Sequence, residues 1–592
     1  MAELEAKVEA LTKLLGSQGL QDASIEARDL QHANVLPQGD YKRNQAVQKK
    51  RKLDSSVEQS SRTLSDESSG DIDDPTEDPD WLSELLSIDM QQRILQEFVA
   101  SYHPIFPVVP MPLGATARIM SKTMPYTLHA AIYIASAGIL SWDLQDKINL
   151  ALIENLTTAT IVKCQNSLDL LQALHIVCLW YRSPRNSTQI PLFQLVSIAS
   201  EMAVNLGFGG SHNPPALSIA GFAAPMTDTI DAQRRWLVSF IVSETTSLLK
   251  RRPNEQKWTP HHDHCLEQIE ANGNAMEGDR ILVQHVRATR LLATISETMA
   301  LNVEAVSPTL GAPECQRPLH DLQDQINSFR LEVPLNCWSP ALTFTGFFME
   351  VLLYEVVLQT PTNKGSFAAP FLIERLSAVD VPTPVLTQSH LEAVHSLKTA
   401  CHNLLDTAAA LTGPEIVTLP TMIYAPRVAH TVVILMRLHI AVTVQGSTYG
   451  TILSPDDLKL ELYLDKCIEM IARGSKIERE AVMVRILRYM HQSKEWLHRY
   501  ESSRLDDERH MEDDAGPGAI SNAKGATLGN HHVCEQTKAE SFSELSDQRQ
   551  ETQKLDMDAP FADFVTSEFA MDDFGLFELF SGTDGSSSLF DF

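Results

Sequence analysis

From Trp81 to about Tyr500, apolar residues recur at the 3.6-residue interval of an α-helix, in long segments broken by Pro and Gly. That interval constrains the chain more than any other feature. Residues spaced this way share one face of a helix, whereas in an extended strand they would scatter over both faces. The cleanest segment runs through Leu391, Val394, Leu397, Cys401, Leu404, Leu405, Ala408 and Leu411. Ser389 and Glu392, three apart at its start, suit a capping box, and Gly413-Pro414 suits its end. The β-branched run 431–433 is ambiguous by composition, but the apolar stretch around it is long enough to favour a buried helix. No series of alternating strands with hairpin turns is found. The expected fold is therefore all-α over residues 81–500, without a fixed-period repeat.

The flanks differ in kind. In residues 1–16, Leu4, Val8, Leu11 and Leu15 recur at steps of four, three and four, with Glu3/Lys7 and Glu9/Lys13 paired on the exposed face. Two heptads are too few for a stable coiled coil alone. They read as the stub of a dimerisation helix, serving a homo- or heterodimer. Residues 17–80 form a polar linker in which Lys49, Lys50, Arg51 and Lys52 make a compact basic cluster, suited to nuclear import. Residues 54–80 carry ten carboxylates against one arginine, a composition that does not collapse into a core. Residues 501–554 return to charged linker.

The last segment, 555–592, holds nine carboxylates and eight phenylalanines and no lysine or arginine. Spaced acids repel one another and keep the rings solvated, so Phe561, Phe564, Phe569, Phe574, Phe577 and Phe580 are available to dock briefly into a partner's apolar groove. Acidic-hydrophobic interleaving of this type is the composition of transcriptional activation domains, whose partners are coactivators. A tail serving only solubility would give no reason for so many aromatic rings.

The whole chain of 592 residues, 43% hydrophobic, can bury a large core and still carry such ends. Its net charge of −28 argues against broad adhesion to nucleic acid. Eight scattered cysteines, the nearest two being Cys164 and Cys178, match neither a disulfide framework nor a zinc cluster, and fit a reducing compartment. No secretory leader is seen at the N-terminus. The apolar stretches at 126–142 and 428–444 are short, or interrupted by His129, Arg437 and His439, and are not expected to span a membrane.

Four passages resemble the middle homology region of fungal zinc-binuclear-cluster transcription factors. They are Phe98-Val-Ala-Ser-Tyr-His-Pro-Ile-Phe-Pro-Val108, Asn166-Ser-Leu-Asp-Leu-Leu-Gln-Ala-Leu-His-Ile-Val-Cys-Leu-Trp-Tyr181, Met202-Ala-Val-Asn-Leu-Gly207, and Arg234-Arg-Trp236 with Lys257-Trp-Thr-Pro260. Each is short; together they stand in the family's order and are similar to weak-acid-response-type and metabolite-cluster regulators. The resemblance covers residues 1–20 and 90–270, and implies a nuclear regulator of a specific gene set, such as a secondary-metabolite cluster. The family reads DNA with a six-cysteine, two-zinc module ahead of the heptads, and no CxxC pair occurs here. No cofactor is therefore expected in this chain, zinc only if a cluster lies upstream, and promoter DNA is expected to be reached through that module or a partner. The heptads begin at residue 2, which points to a truncated start.

Candidates for other chemistry are weaker. His261-His-Asp-His-Cys265 is dense in metal ligands but lacks the spacing that converges on one ion. Glu392/His395 and Glu495/His498 have the Glu-x-x-His spacing of a helical di-iron motif, but no supporting pair of glutamates stands out. The 207–211 glycine run lacks the Gly-Lys-Ser/Thr of a phosphate loop and suits a helix stop. Arg234, Arg235 and 250–252 read as solvated helix-end cations rather than a nucleic-acid stripe. A regulator, not an enzyme, is the expectation. The alternatives are an adaptor or inhibitor that pairs with a longer relative, and a helical metalloenzyme.

Overall fold

A computed structural model describes residues 81–514, apart from the short segments 112–113, 183–191, 212–228, 273–275, 304–312, 370, 374–375, 377–380, 385 and 478–480. Met1–Thr76 and Glu77–Phe592 are separate units, and every described residue belongs to the second.

Eighteen α-helices occur among the described residues, and no strand. In chain order they are α1 Trp81–Leu85, α2 Ile88–Glu97, α3 Ala117–Thr123, α4 Pro125–Ala135, α5 Trp142–Thr157, α6 Leu168–Leu179, α7 Leu192–Asn205, α8 Ile230–Lys250 and α9 Pro260–Ala271. There follow α10 Glu277–Thr298, α11 Pro313–Glu332, α12 Pro340–Tyr354, α13 Gln388–Ala410, α14 Gly413–Thr418, α15 Thr421–Thr443, α16 Pro455–Leu458, α17 Leu460–Ser475 and α18 Ala481–Asp514. The all-α expectation holds, and the last helix continues past Tyr500.

Many of these helices start where a Ser or Thr oxygen meets the orphan N–H groups of a first turn. Ser87, Thr116, Ser167, Thr229, Ser339 and Thr387 each accept from the amide three residues on. The α13 cap lies two residues before the expected Ser389, because Thr387 accepts from His390 N; Glu392 instead accepts from Gln388. The end is corrected too. α13 stops at Ala410, and Gly413-Pro414 opens α14, where Thr412 and Glu415 form a capping box. The first turn of α4 is capped from another helix: Asp169 of α6 accepts from Tyr126 N (2.9 Å) and Thr127 N (2.8 Å).

α15 is the hub, packing against α6, α8, α12, α13, α16, α17 and α18. It is apolar on almost every side, and a helix of that kind has to be enclosed by others. By length and composition Thr421–Thr443, which contains most of the 428–444 stretch, could cross a membrane despite Arg437 and His439, and so could Pro340–Leu358, which the sequence reading did not single out. In this fold 94% and 83% of their most apolar windows are buried among other helices. The run 431–433 is helical, as expected. α14 approaches α17 closely because two glycines leave room: a Cβ on Gly474 would lie 2.7 Å from Ile416 Cγ2, and one on Gly413 3.2 Å from the Arg473 carbonyl.

The passages that carry the family resemblance are core. Phe98, Tyr102 and Phe106 are buried, and Tyr102 and Phe106 both meet Trp180 edge-on at 6.3 Å. The His103 ring donates to the Val109 carbonyl (2.9 Å), folding the His-Pro segment back on itself. Trp180 Nε1 donates to the Thr418 carbonyl at 3.0 Å, across 238 residues of chain. The glycines after α7 end it as expected, with Gly207 and Gly210 in the left-handed region (φ 81° and 61°).

Trp180→Ala should remove both the packing of the His-Pro segment and the tie to α14. Loss of a buried tryptophan costs about 3–5 kcal/mol. Chemical denaturation followed by circular dichroism should show the lower midpoint, and an unchanged midpoint would refute a bridging role for Trp180.

Candidate functional site

The densest buried charge lies where the C-terminus of α8, the end of α12 and the middle of α15 meet. Arg251 caps α8 in the left-handed conformation (φ 53°, ψ 43°), its amide donating back to Leu248 and Ser247. A non-glycine residue there costs on the order of 1–2 kcal/mol. Its side chain offsets that cost by reaching Glu355, with Nη2 2.6 Å from Oε1 and 2.8 Å from Oε2. Glu355, in the 3-10 turn after α12, is fully buried. It also accepts from Gln359 Nε2 (2.9 Å) and His430 Nε2 (2.7 Å).

Burial works to raise the Glu355 pKa, yet Arg251 and then His430 pull it below the usual carboxylate value. Burial lowers the His430 pKa, against the pull of Glu355. The ring is thus neutral near pH 7 and serves as an N–H donor to an ionised carboxylate.

Further cations lie on the elements that meet here. Arg427 of α15 is buried; its Nη1 donates to Thr345 Oγ1 of α12 (2.5 Å), and its guanidinium lies 5.1 Å from the centre of the Phe348 ring. Burial lowers its pKa to about 9, so it remains charged at neutral pH. Arg437, ten residues further along α15, sits over Phe367 at 4.4 Å and donates to Ser366 Oγ (2.7 Å). Lys364, beside them in the turn Lys364–Phe367, feels both Arg251 and Glu355, and donates to the Ala300 carbonyl. Arg251 and Lys364 thus act on Glu355, while Arg427 and Arg437 belong to the same helix as His430.

A pocket of about 380 Å³, counting its open mouth, lies against them. Arg251, Arg427 and His430 contribute polar lining, and Leu248, Leu249, Phe348, Phe367, Phe371 and Met422 are among the apolar residues. Pro426, also in the wall, has no N–H to give, so the helical bond to the Met422 carbonyl is missing at this point of α15.

The residues singled out from the sequence lie elsewhere. Leu4, Val8, Leu11, Leu15, the basic residues 49–52 and the phenylalanines from Phe561 to Phe580 are outside the described residues. Arg234 and Arg235 are not solvated, which corrects the expectation. Both sit near the start of α8 and are buried, where their own helix dipole disfavours them. Arg234 is held instead by a two-pronged pairing with Asp279 (2.6 Å to each oxygen) and by Asp231 (2.6 Å). Arg235 donates to the Asp231 carbonyl and, with the Gln172 amide turned to suit it, to Gln172 (2.8 Å from Nε). Arg251 is likewise interior.

In the 261–265 run His261, His262 and Asp263 each have their own partner, and His264 is exposed. His261 bonds the Phe208 carbonyl (2.8 Å), His262 is in the capping box with Thr259, and Asp263 pairs with Arg290 (2.6 Å) and accepts from Trp258 Nε1 (3.1 Å). Glu392, His395, Glu495 and His498 are all exposed, the wrong disposition for a site inside a bundle.

The Arg251–Glu355–His430 group escaped sequence reading because its members lie 104 and 75 positions apart. One signal was present: Arg427, His430, Arg437 and His439 punctuate an otherwise largely apolar helix. Charge kept inside an apolar helix has to be compensated by partners, which marks the helix as a place where polar groups gather.

Glu355→Gln should leave Arg251 as an uncompensated buried charge and destabilise the fold by about 3–5 kcal/mol. Because the folded-state pKa of Glu355 is depressed, its contribution is present above the unfolded carboxylate value near 4.3 and is lost as pH falls through the folded value. Denaturation midpoints measured from pH 7 downwards should therefore fall less steeply for Glu355→Gln than for the parent; parallel curves would refute the assignment.

Comparison with known proteins places this helical region in context. The chain is 25% identical over 409 residues to the transcription factor pbcR of Emericella nidulans, covering 66% of this chain and 51% of that protein. It is 21% identical over 398 residues to the transcriptional regulator WAR1 of Candida albicans, covering 66% of this chain and 38% of that protein. The chain thus spans about half the length, or less, of these curated relatives. No protein-family profile matches it, and no solved structure matches it. Over two thirds of its length the chain is a homologue of fungal transcription factors, in agreement with its resemblance to the zinc-binuclear-cluster regulators.

Proposed function

We propose that this protein is a nuclear regulator of transcription, an activator of a specific gene set. The observation that carries the reading is the similarity, over 66% of the chain, to two fungal proteins that are both named as transcription regulators. The all-helical region supports it, since the short motifs it shares with that family form the packed interior around Trp180 and Trp236.

The parts divide the work. The heptads at Leu4, Val8, Leu11 and Leu15 pair two chains; Lys49, Lys50, Arg51 and Lys52 direct import; the acidic phenylalanine-rich tail recruits coactivators. Resemblance to metabolite-cluster regulators favours a biosynthetic gene cluster as the target. Site-selective DNA contact is assigned to a zinc module or partner not contained in this sequence. Base readout needs a fold that carries side chains to base edges, and residues 49–52 offer only salt-sensitive attraction to phosphates.

Residues 555–592 fused to a heterologous DNA-binding domain should activate a reporter, and replacing Phe574, Phe577 and Phe580 with Ala should abolish most of that activity. Activation indifferent to the three rings would remove groove docking as the mechanism.

Changing residues 49–52 to Ala in the tagged full chain should shift it from nucleus to cytoplasm, read by microscopy. Undiminished nuclear signal would assign import to another segment or a bound partner.

A further inference from the structure

We propose that the turn between α11 and α12 is a contact face for a second copy of this chain, with Leu331 and Leu335 at its centre and Arg280 and Glu332 paired across it. This goes beyond the role in transcription, and it rests neither on that role nor on pairing through the heptads.

The first observation is the exposure of the two leucines. Leu331 is 87% exposed and Leu335 92%, more than any other large apolar side chain among the described residues. A single exposed leucine is ordinary on a protein surface, but two this bare within one turn of chain make a patch. Their direction is fixed by their neighbours. Phe329, Val333 and Cys337 alternate with them and are buried, so the leucines are the side chains left facing out. Arg330 clamps the end of α11 to α12, with Nη1 2.6 Å from Glu350 Oε1 and Nη2 donating to the Gly346 carbonyl (3.0 Å). The Pro334 carbonyl then accepts from Cys337 N at 2.9 Å, which closes the turn. The leucines are therefore held out on firm backbone, and covering them costs little ordering entropy.

The second observation concerns charge, and it selects the occupant. Glu332, between the leucines, is exposed and has no partner among the described residues. The turn Leu335–Cys337 packs against α10. Burial raises the Cys337 pKa and the charge of Arg280, on α10, works against it, which places Arg280 beside the turn. Arg280 is exposed too and likewise has no partner among the described residues.

One cation and one anion thus border the leucines. The chain's own tail, 555–592, is apolar enough to cover them but has no lysine or arginine to offer Glu332. A second copy has both charges. In a two-fold contact the same surface meets itself, so Arg280 of each chain faces Glu332 of the other while the leucines pack at the axis. Burial of the leucines supplies the attraction. The two ion pairs set the orientation, because exposed charges contribute more to register than to affinity.

The test is sedimentation equilibrium of the purified full chain with Leu4, Val8, Leu11 and Leu15 changed to Gln, so that heptad pairing is not mistaken for this contact. In a concentration series up to about 100 μM, the reach a small contact needs, the protein should show a reversible monomer–dimer equilibrium. Leu331→Asp with Leu335→Asp should weaken it at least about tenfold, since like charges replace the apolar centre. Arg280→Glu and Glu332→Arg should each weaken it, and the two together should restore most of it, an outcome that neither misfolding nor general stickiness produces. All four positions are exposed, so the variants should keep the parent's circular dichroism and melting temperature. Monomer throughout the series, a dimer indifferent to the leucine pair, or no recovery in the double charge exchange would each overturn the proposal. So would a chain that stays monomeric until Phe574, Phe577 and Phe580 are changed to Ala, since the tail would then be the occupant of the turn. The heptad positions are replaced in every arm, so heptad pairing and this contact fail separately.

Discussion

A single buried carboxylate organises the middle of this protein. Glu355 emerges from the turn after α12 and is met by Arg251 from the end of α8 and by His430 from α15. Three elements far apart in the chain are therefore tied at one point by charge and directed hydrogen bonds. Apolar packing is non-directional and tolerates sliding; an ion pair with three hydrogen-bond donors does not. The junction ties α15 to the end of α8 and to the turn after α12 through directed bonds, which fixes its register at that point.

A second junction has the same logic. Arg234 and Arg235 occupy the start of α8, where a helix dipole disfavours cations. Asp279 at the start of α10 favours the opposite charge, and its pairing with Arg234 at 2.6 Å cross-links the two N-termini. Arg235 lies beside the polar chain of Gln172, Thr127, His175 and Ser239, which links α4, α6 and α8. The arginine pair is thus structural, and the short motifs that mark the family resemblance are best understood as the residues that join helices to one another.

Much of the fold was legible. The helical period, the Ser and Thr caps and the glycines after α7 are local signals, because a helix meets its backbone hydrogen bonds within a few residues of chain. Where local reading slipped, a competing local signal was the cause. Ser389 and Glu392 have capping-box spacing, but Thr387 lies two residues further out and takes the role; Gly413-Pro414 looks like a stop, but Pro is equally at home in a first helical turn. The cations of α8 were misread as solvated because their partner Asp279 is 45 positions away, and nothing local announces a distant carboxylate.

What the sequence by itself determined is the class of the protein: a long helical region between polar linkers, an acidic aromatic tail, and motifs that align it with fungal regulators. Each of these depends on composition or on spacing within a turn or two of helix. Only the tertiary structure decided that α15 is the hub, that Arg251, Glu355 and His430 share one junction, and that Arg427 borders a pocket. Those facts depend on which faces meet. A buried charge in one helix has many possible partners along hundreds of residues, and packing alone selects the one within 3 Å.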